Sequence, residues 1–331
     1  VTAISRLSLA LLLAVVGCDE DPEAPAWTPA FDAEPLGWFL NVGGASADAL
    51  WAVGGTPDDG LMMGFDGTSW TEQPLPAEVP LLNWVHALAV DDVTVVGNGG
   101  TVLHFDGATW TSQETPTEED LWGVWGVASD DLWAVGGRGR EAGQATLLRF
   151  DGTEWSSVEL PVLERPNVNA LFKVWGSGPS DVWAVGQRGA VLHYDGSTWT
   201  EELVGASDDL IAVWGTGPDH VVAVGGRGVG IASVFDGTEW RTESLAPTPG
   251  LNGIWTRSAG TAHAVGVAGT LVTFDTTTFE VVPETSGAAD DFHAVFSPPG
   301  SNTLYAVGGT LGFTSGPYEG LAYQRLLRDD E

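Results

Sequence analysis

A chain of 331 residues with 45 acidic and 12 basic side chains carries a formal net charge of −33. Such a surface repels phosphodiester backbones and anionic lipid head groups, which excludes nucleic acid and a bare membrane as partners. One cysteine permits no disulfide within the chain, so stability must come from a packed core, for which 16 tryptophans provide the apolar mass.

In chain order, Arg6 precedes an apolar run from Leu7 to Val16, which closes in Val15-Val16-Gly17-Cys18. A membrane span requires about 20 apolar residues, and this run is about half that, so it reads as the hydrophobic stretch of a secretion signal. Asp19-Glu20-Asp21 follow Cys18 directly, which speaks against a buried core thiol. The run resembles the lipoprotein box of exported bacterial proteins, with Val15 where leucine is usual. That resemblance implies a signal peptide over residues 1–17, lipidation of Cys18, and an acidic tether over residues 18–25. It also implies an exported protein, held in the bacterial envelope at the periplasmic face or cell surface and touching the membrane only through its lipid.

From residue 26 onward one pattern repeats. Val182-Trp183-Ala184-Val185-Gly186 leads to Tyr194-Asp195-Gly196-Ser197-Thr198-Trp199. Related copies are Leu132 to Gly136 with Phe150 to Trp155, and Val222 to Gly225 with Phe235 to Trp240. The turn aspartates at 66, 106, 151, 195, 236 and 275 are 40, 45, 44, 41 and 39 residues apart. A period of about 40–45 residues, with short apolar strands and glycine-rich turns, predicts a β-propeller with one four-stranded blade per repeat. The fold class is all-β, a single seven-bladed propeller over residues 26–331, and the expected state is a monomer.

Within one repeat, Leu171 to Gly176 forms the first strand and Val182 to Gly186 the second. Ala190 to Tyr194 forms the third, and the strand from Trp199 is the fourth. Near-continuous apolar strands fit a sheet buried on both faces, as blade-on-blade packing requires. Val42, Val85, Val124, Val174, Val213, Ile254 and Val295 fill one column of the first strand. The next column holds Trp125, Trp175, Trp214 and Trp255, with Gly43, His86 and Phe296 in the remaining copies. Repeated indoles at a fixed position read as packing between blades. The last repeat lacks an Asp-Gly-x-x-Trp strand, whereas Trp27-Thr28 stands unpaired near the start. Residues Ala26 to Phe31 are therefore expected to supply the missing outer strand and close the ring, removing the exposed edge.

The run from Asp181 to Gly186 through His193-Tyr194-Asp195-Gly196 resembles the repeats of bacterial two-component-regulator-type sensor propellers. The Asp-Gly-x-x-Trp turn resembles, more distantly, the Asp-box of sialidase-type propellers, although the tryptophan comes one position early and the leading serine is absent. That resemblance implies a structural turn role for Asp66, Asp106, Asp151, Asp195 and Asp236 with Trp70, Trp110, Trp155, Trp199 and Trp240.

No HExxH, GxSxG, phosphate-binding loop or cysteine pair is present. His104 and His193 share a column with Arg149 and Thr273, which reads as a solvated strand position. Tyr194 shares its column with Phe65, Phe105 and Phe150, which reads as core and not as a sialidase nucleophile. The acidic pairs Asp91-Asp92, Asp130-Asp131 and Asp208-Asp209 read as turn caps, with no metal site and no cofactor. One constellation stands out. Arg138, Arg188 and Arg227 occupy the turn between the second and third strands in three consecutive repeats. On the same face the variable column Leu40, Asn83, Trp122, Phe172, Ile211, Asn252 and His293 begins each first strand, with Lys173 beside it. The plain reading is soluble turn residues. The functional one is arginine forks over aromatic residues, able to hold an acidic glycan or acidic peptide. The leading expectation is a non-catalytic binding or scaffold module at the envelope, recognising a protein or glycan. The alternatives are a glycan-directed hydrolase or lyase, and a sensor or assembly factor for a membrane complex, resembling lipid-anchored photosystem II assembly propellers.

Overall fold

The computed structural model describes residues 26–138, 145–311, 316–328 and 331; Cys18, the signal segment and the tether lie outside them. The described strands form seven four-stranded antiparallel sheets. Blade 1 runs from Trp38 to Glu72, blade 2 from Leu82 to Gln113, blade 3 from Leu121 to Ser157, and blade 4 from Leu171 to Glu201. Blade 5 runs from Leu210 to Pro249 and blade 6 from Leu251 to Glu284, and blade 7 begins at Asp291. In every blade the first strand is innermost, and neighbouring first strands pack against one another around a central channel.

The core is not one mass. Seven of its clusters each lie between two neighbouring blades, and a small eighth gathers Trp38, Leu40 and Leu81. Trp133, Val135 and Leu147 of blade 3 meet Val182, Tyr194 and Trp199 of blade 4. Trp183, Val185 and Val191 of blade 4 meet Val213, Val221 and Ala223 of blade 5. The remaining interfaces follow the same scheme, including the one where Phe39, Val42 and Leu50 of blade 1 meet Ala294, Tyr305 and Val307 of blade 7. The column tryptophans explain the glycine that follows them. A Cβ on Gly176 would lie 2.5 Å from the Trp125 indole, and one on Gly215 would lie 2.4 Å from that of Trp175. The Trp125 and Trp175 indoles therefore lie flush on the bare backbone of the next blade.

The N-terminal strand closes the ring as the short last repeat requires. Thr28 pairs with Gln324 and Pro29 with Tyr323, and the Ala30 amide donates to the Ala322 carbonyl at 2.9 Å. The seventh sheet therefore runs from Thr28–Pro29 through Gly320–Leu326 and Thr303–Gly309 to Asp291–Phe296. The paired segment is only two residues long, so side chains supply the hold. The Trp27 indole is buried and donates to Glu284 of blade 6 at 2.7 Å. Glu284 also pairs with the buried Arg325 at 2.8 Å, and Arg325 reaches Glu331 at 2.7 Å and lies 5.4 Å from the Trp27 ring centroid. Burial alone would raise the Glu331 carboxyl, but bonds from Arg325 and the Arg328 amide hold it below its ordinary value.

Replacing Trp27 with alanine removes a buried indole from this closure and should cost about 3–5 kcal/mol in urea unfolding. Arg325→Met leaves Glu284 without a cation and Glu331 with Arg328 alone, and should cost a similar amount, about 3–5 kcal/mol. Midpoints within error of wild type for both variants would show that the latch contributes nothing.

Candidate functional site

Each innermost strand opens with a bulge. Its register against the second strand slips between Leu82 and Trp84, Leu121 and Gly123, Leu171 and Lys173, and at the same point in the other four blades. The residue passed over is always a member of the variable column: Leu40, Asn83, Trp122, Phe172, Ile211, Asn252 or His293. A bulged residue has no cross-strand partner and its side chain is re-aimed by the kink. That frees it from the pairing that fixes its neighbours.

Arg138, Arg188 and Arg227 do lie on the face of the second-to-third-strand turns, beside these bulges. Arg138 Nε donates to Glu119 at 3.0 Å. Arg227 donates to Asp209 at 2.8 Å and its guanidinium lies 5.5 Å from the Phe172 ring centroid. Arg188 sits at φ 58°, in the left-handed region that Gly99 and Ala268 occupy in blades 2 and 6. Its amide donates to Asp209 at 2.9 Å, as Gly99 does to Asp120 and Ala268 to Asp291. Aspartates placed just before an innermost strand thus staple the connection between blades to the turn of the preceding blade. This column was readable in the sequence and escaped notice, because its members contact a turn about 20 residues upstream. An anionic ligand on this face competes with Glu119 and Asp209 for the arginines.

Lys173 and the other polar members of the site point elsewhere. Lys173 Nζ donates to the Trp122 carbonyl at 2.6 Å and lies 4.4 Å from the Trp84 ring centroid. Burial pulls its ammonium down to about 7. Burial first, and the nearby Lys173 charge second, bring His293 down to about 4. Asn252 donates to the Phe292 carbonyl and Asn83 to that of Leu121, both at 2.9 Å, while Asn41 accepts from the Val85 amide at 3.0 Å. The carbonyl and amide partners of Lys173, Asn252, Asn83 and Asn41 all belong to adjacent blades, whereas the Trp84 ring beside Lys173 lies two blades away. The channel's polar side chains stitch inner strands together.

The opposite face carries the first-to-second-strand hairpins and the Asp-Gly turns. Asp66 accepts from the Thr68 and Ser69 amides at 2.9 Å, and Asp106, Asp151, Asp236 and Asp275 make the same pair of bonds within their own turns. Asp195 adds the Ser197 hydroxyl, and that bond with the Thr198 and Ser197 amides holds its carboxyl down at about 2. Trp70, Trp110, Trp155, Trp199 and Trp240 each pair across the strands with an aromatic ring, at centroid distances of 5.2, 5.1, 5.2, 5.4 and 5.4 Å. His104, Arg149 and His193 are not merely solvated. They pair with Asp92, Asp131 and Asp181 at the start of the second strand, at 3.0, 3.2 and 2.7 Å. Toward this face the channel widens into a cavity of about 620 Å³, lined by Trp84, Trp125, Trp175, Trp214 and Trp255 together with Phe296. The indole column, read from the sequence first as packing and only second as an aromatic platform, thus also lines the channel.

His263, Glu284 and Glu331 converge closely enough to ligate a cation, but Arg325 lies among them, 3.3 Å from His263 Nδ1. A metal there would have to displace the guanidinium that pairs with both carboxylates, the second of which also pairs with Arg328.

No family model and no curated protein sequence matches the chain. Among solved structures, YCF48 bound to D1 peptide superposes with a TM-score of 0.67 at 16% identity, covering 92% of this chain and 100% of the other. YCF48 from Cyanidioschyzon merolae gives a TM-score of 0.65 at 12% identity, over 91% and 98% of the two chains. At this identity the likeness establishes the seven-bladed fold.

Lys173 gives a signed pH test. Its folded value, about 7, lies below the unfolded one of 10.5, so between them the unfolded chain binds the extra proton. Stability should therefore rise as pH increases from about 7 toward 10.5. Lys173→Met should lose that slope and melt higher than wild type at pH 7. Identical pH profiles for the two proteins would contradict the burial argument. Arg227→Ala, which breaks an exposed pair, should change folding stability by no more than about 0.5 kcal/mol.

Proposed function

We propose that this propeller is a non-catalytic docking platform for a polypeptide partner. The observation carrying this reading is the superposition of nearly the whole ring on a YCF48 propeller that holds a peptide. A closed ring with seven interfacial cores changes shape little, which suits a rigid recognition surface. The two faces differ in chemistry: arginines beside bulged aromatics on one, aspartate turns around an aromatic cavity on the other. The Leu7–Cys18 segment adds a location to the proposal, a lipid-anchored position in the bacterial envelope, and with it a role beside a membrane complex.

Zero-length carbodiimide crosslinking in the native host suits the test, since the chain offers 45 carboxylates and its one lysine is Lys173. A stoichiometric partner whose lysines crosslink to one face of the ring is the expected result. Recovery of no partner, or turnover on a panel of glycosidase and lyase substrates, would overturn the reading in favour of the glycan-directed enzyme. An arginine-face site predicts crosslinks near Glu119 and Asp209, and predicts that a triple alanine variant of Arg138, Arg188 and Arg227 loses the partner. Cys18→Ala should move the protein from the membrane fraction to the soluble fraction, and unchanged fractionation would remove the lipid anchor.

A further inference from the structure

The cavity on the hairpin face has a mouth whose composition is uneven. Two residues beyond the indole column, the rim position is Ala45, Leu88 and Val127 in blades 1–3, and Ser177, Thr216 and Arg257 in blades 4–6. Val127 is 40% exposed and Val90, at the blade 2 hairpin tip, is 53% exposed. Neither lines the cavity itself; they follow the lining residues Trp125 and Ala87 by two and three positions at the outer end of the innermost strands. Ser297 lines the same cavity, is only 3% exposed, and its hydroxyl has no hydrogen-bond partner among the described residues. A buried hydroxyl left unpaired is costly, so its presence at a cavity wall calls for a polar group arriving from outside.

The charge around the mouth is equally uneven. The hairpin-tip aspartates Asp48, Asp91, Asp130 and Asp219 pack under the glycines of the Asp-Gly turns, with Cβ positions about 3 Å from the place a glycine Cβ would take. Each tip therefore sits next to a turn aspartate, and together the exposed carboxylates form an acidic crown. Among the described residues Arg257 is the cation in the cavity lining, tied to blade 7 through the Ser301 carbonyl and Asn302 Oδ1, while Arg149 of blade 3 is held by Asp131.

We infer that the channel mouth on the hairpin face captures a polypeptide segment that inserts an aromatic side chain between the indoles and sets flanking lysines or arginines on the aspartate crown. The inference rests on the protein-docking reading above and assigns it a surface and a ligand chemistry. The occupant is a side chain on a backbone: a cavity of about 620 Å³ admits one or two aromatic rings, and a peptide group at the neck can pair with Ser297 Oγ. The flanks are basic because the crown is acidic, and such contacts raise the association rate and weaken with salt. The aliphatic stems of those residues rest on Val127 and Val90.

The test uses a fluorescein-labelled, end-blocked peptide Gly-Lys-Lys-Phe-Lys-Lys-Gly, its Phe→Ser form and its Lys→Glu form, followed by anisotropy against the full chain. The phenylalanine peptide should bind at least about tenfold tighter than the serine peptide, the yield of burying one ring, and the glutamate peptide should not bind. Val127→Arg should weaken the phenylalanine peptide by about tenfold, whereas Val282→Arg, the same charge change on the outer strand of blade 6, should leave it unaltered. Circular dichroism verifies that both variants fold. Equal affinity for the phenylalanine and serine peptides, equal affinity of the two variants, or no binding by any peptide overturns the inference. A partner captured by crosslinking that Val127→Arg still retains, with crosslinks on the arginine face, overturns it too and leaves the docking function standing.

Discussion

Everything in this protein depends on the contact between neighbouring blades. A single four-stranded sheet built from Val-Trp-Ala-Val-Gly and Leu-Leu-x-Phe strands is apolar on both faces, and nothing within one blade can cover either of them. Stacking the blades in a ring covers every face, and the seven interfacial clusters are the result. The column of tryptophans sharpens the fit, because the Trp125 and Trp175 indoles lie on backbone without a side chain. Gly176 and Gly215 are conditions of the packing and not turn signals, which is why Trp-Gly recurs at the end of the innermost strand.

A ring assembled this way has one weak joint, where the first and last segments of the chain meet. There the sheet ladder is short, and the hold comes from a buried charged cluster around Arg325. Two glutamates face the Arg325 guanidinium, Glu331 pairs with Arg328 as well, and the Trp27 indole donates to Glu284 while lying against Arg325. Such a cluster gives little net stability over an apolar equivalent, yet it punishes any arrangement that leaves one partner alone. It therefore favours the one register in which the N-terminal strand seats on blade 7.

The two faces of the ring follow from the same architecture with opposite electrostatic outcomes. Turns between second and third strands lie beside the connections between blades, whose aspartates bind the turn amides, while Glu119 and Asp209 pair with Arg138 and Arg227. Hairpins and Asp-Gly turns crowd the other face with carboxylates, and those of the Asp-Gly turns are held below their ordinary value by backbone amides. Between them runs a channel whose polar side chains, Asn41, Asn83, Lys173 and Asn252, are committed to neighbouring strands. What remains open is the aromatic mouth.

The amino-acid sequence alone determined the repeat, the blade count, the core columns and the closing strand at Trp27, because these depend on spacing and hydrophobic pattern along the chain. The aspartate turns were legible for the same reason: their bonds span three residues. The bulges were not legible. Whether Phe172 or Asn252 pairs or is skipped is a property of two strands in register, and the sequence shows such a position only as variability. The partners of Arg138 and Arg227 lie 18 to 19 residues upstream on a different connection, so the arginines read as a free patch until the blades were stacked. The cavity escaped for a deeper reason. Trp125, Trp175, Trp214 and Trp255 belong to different blades, and only closure of the ring turns one packing column into the wall of a binding site.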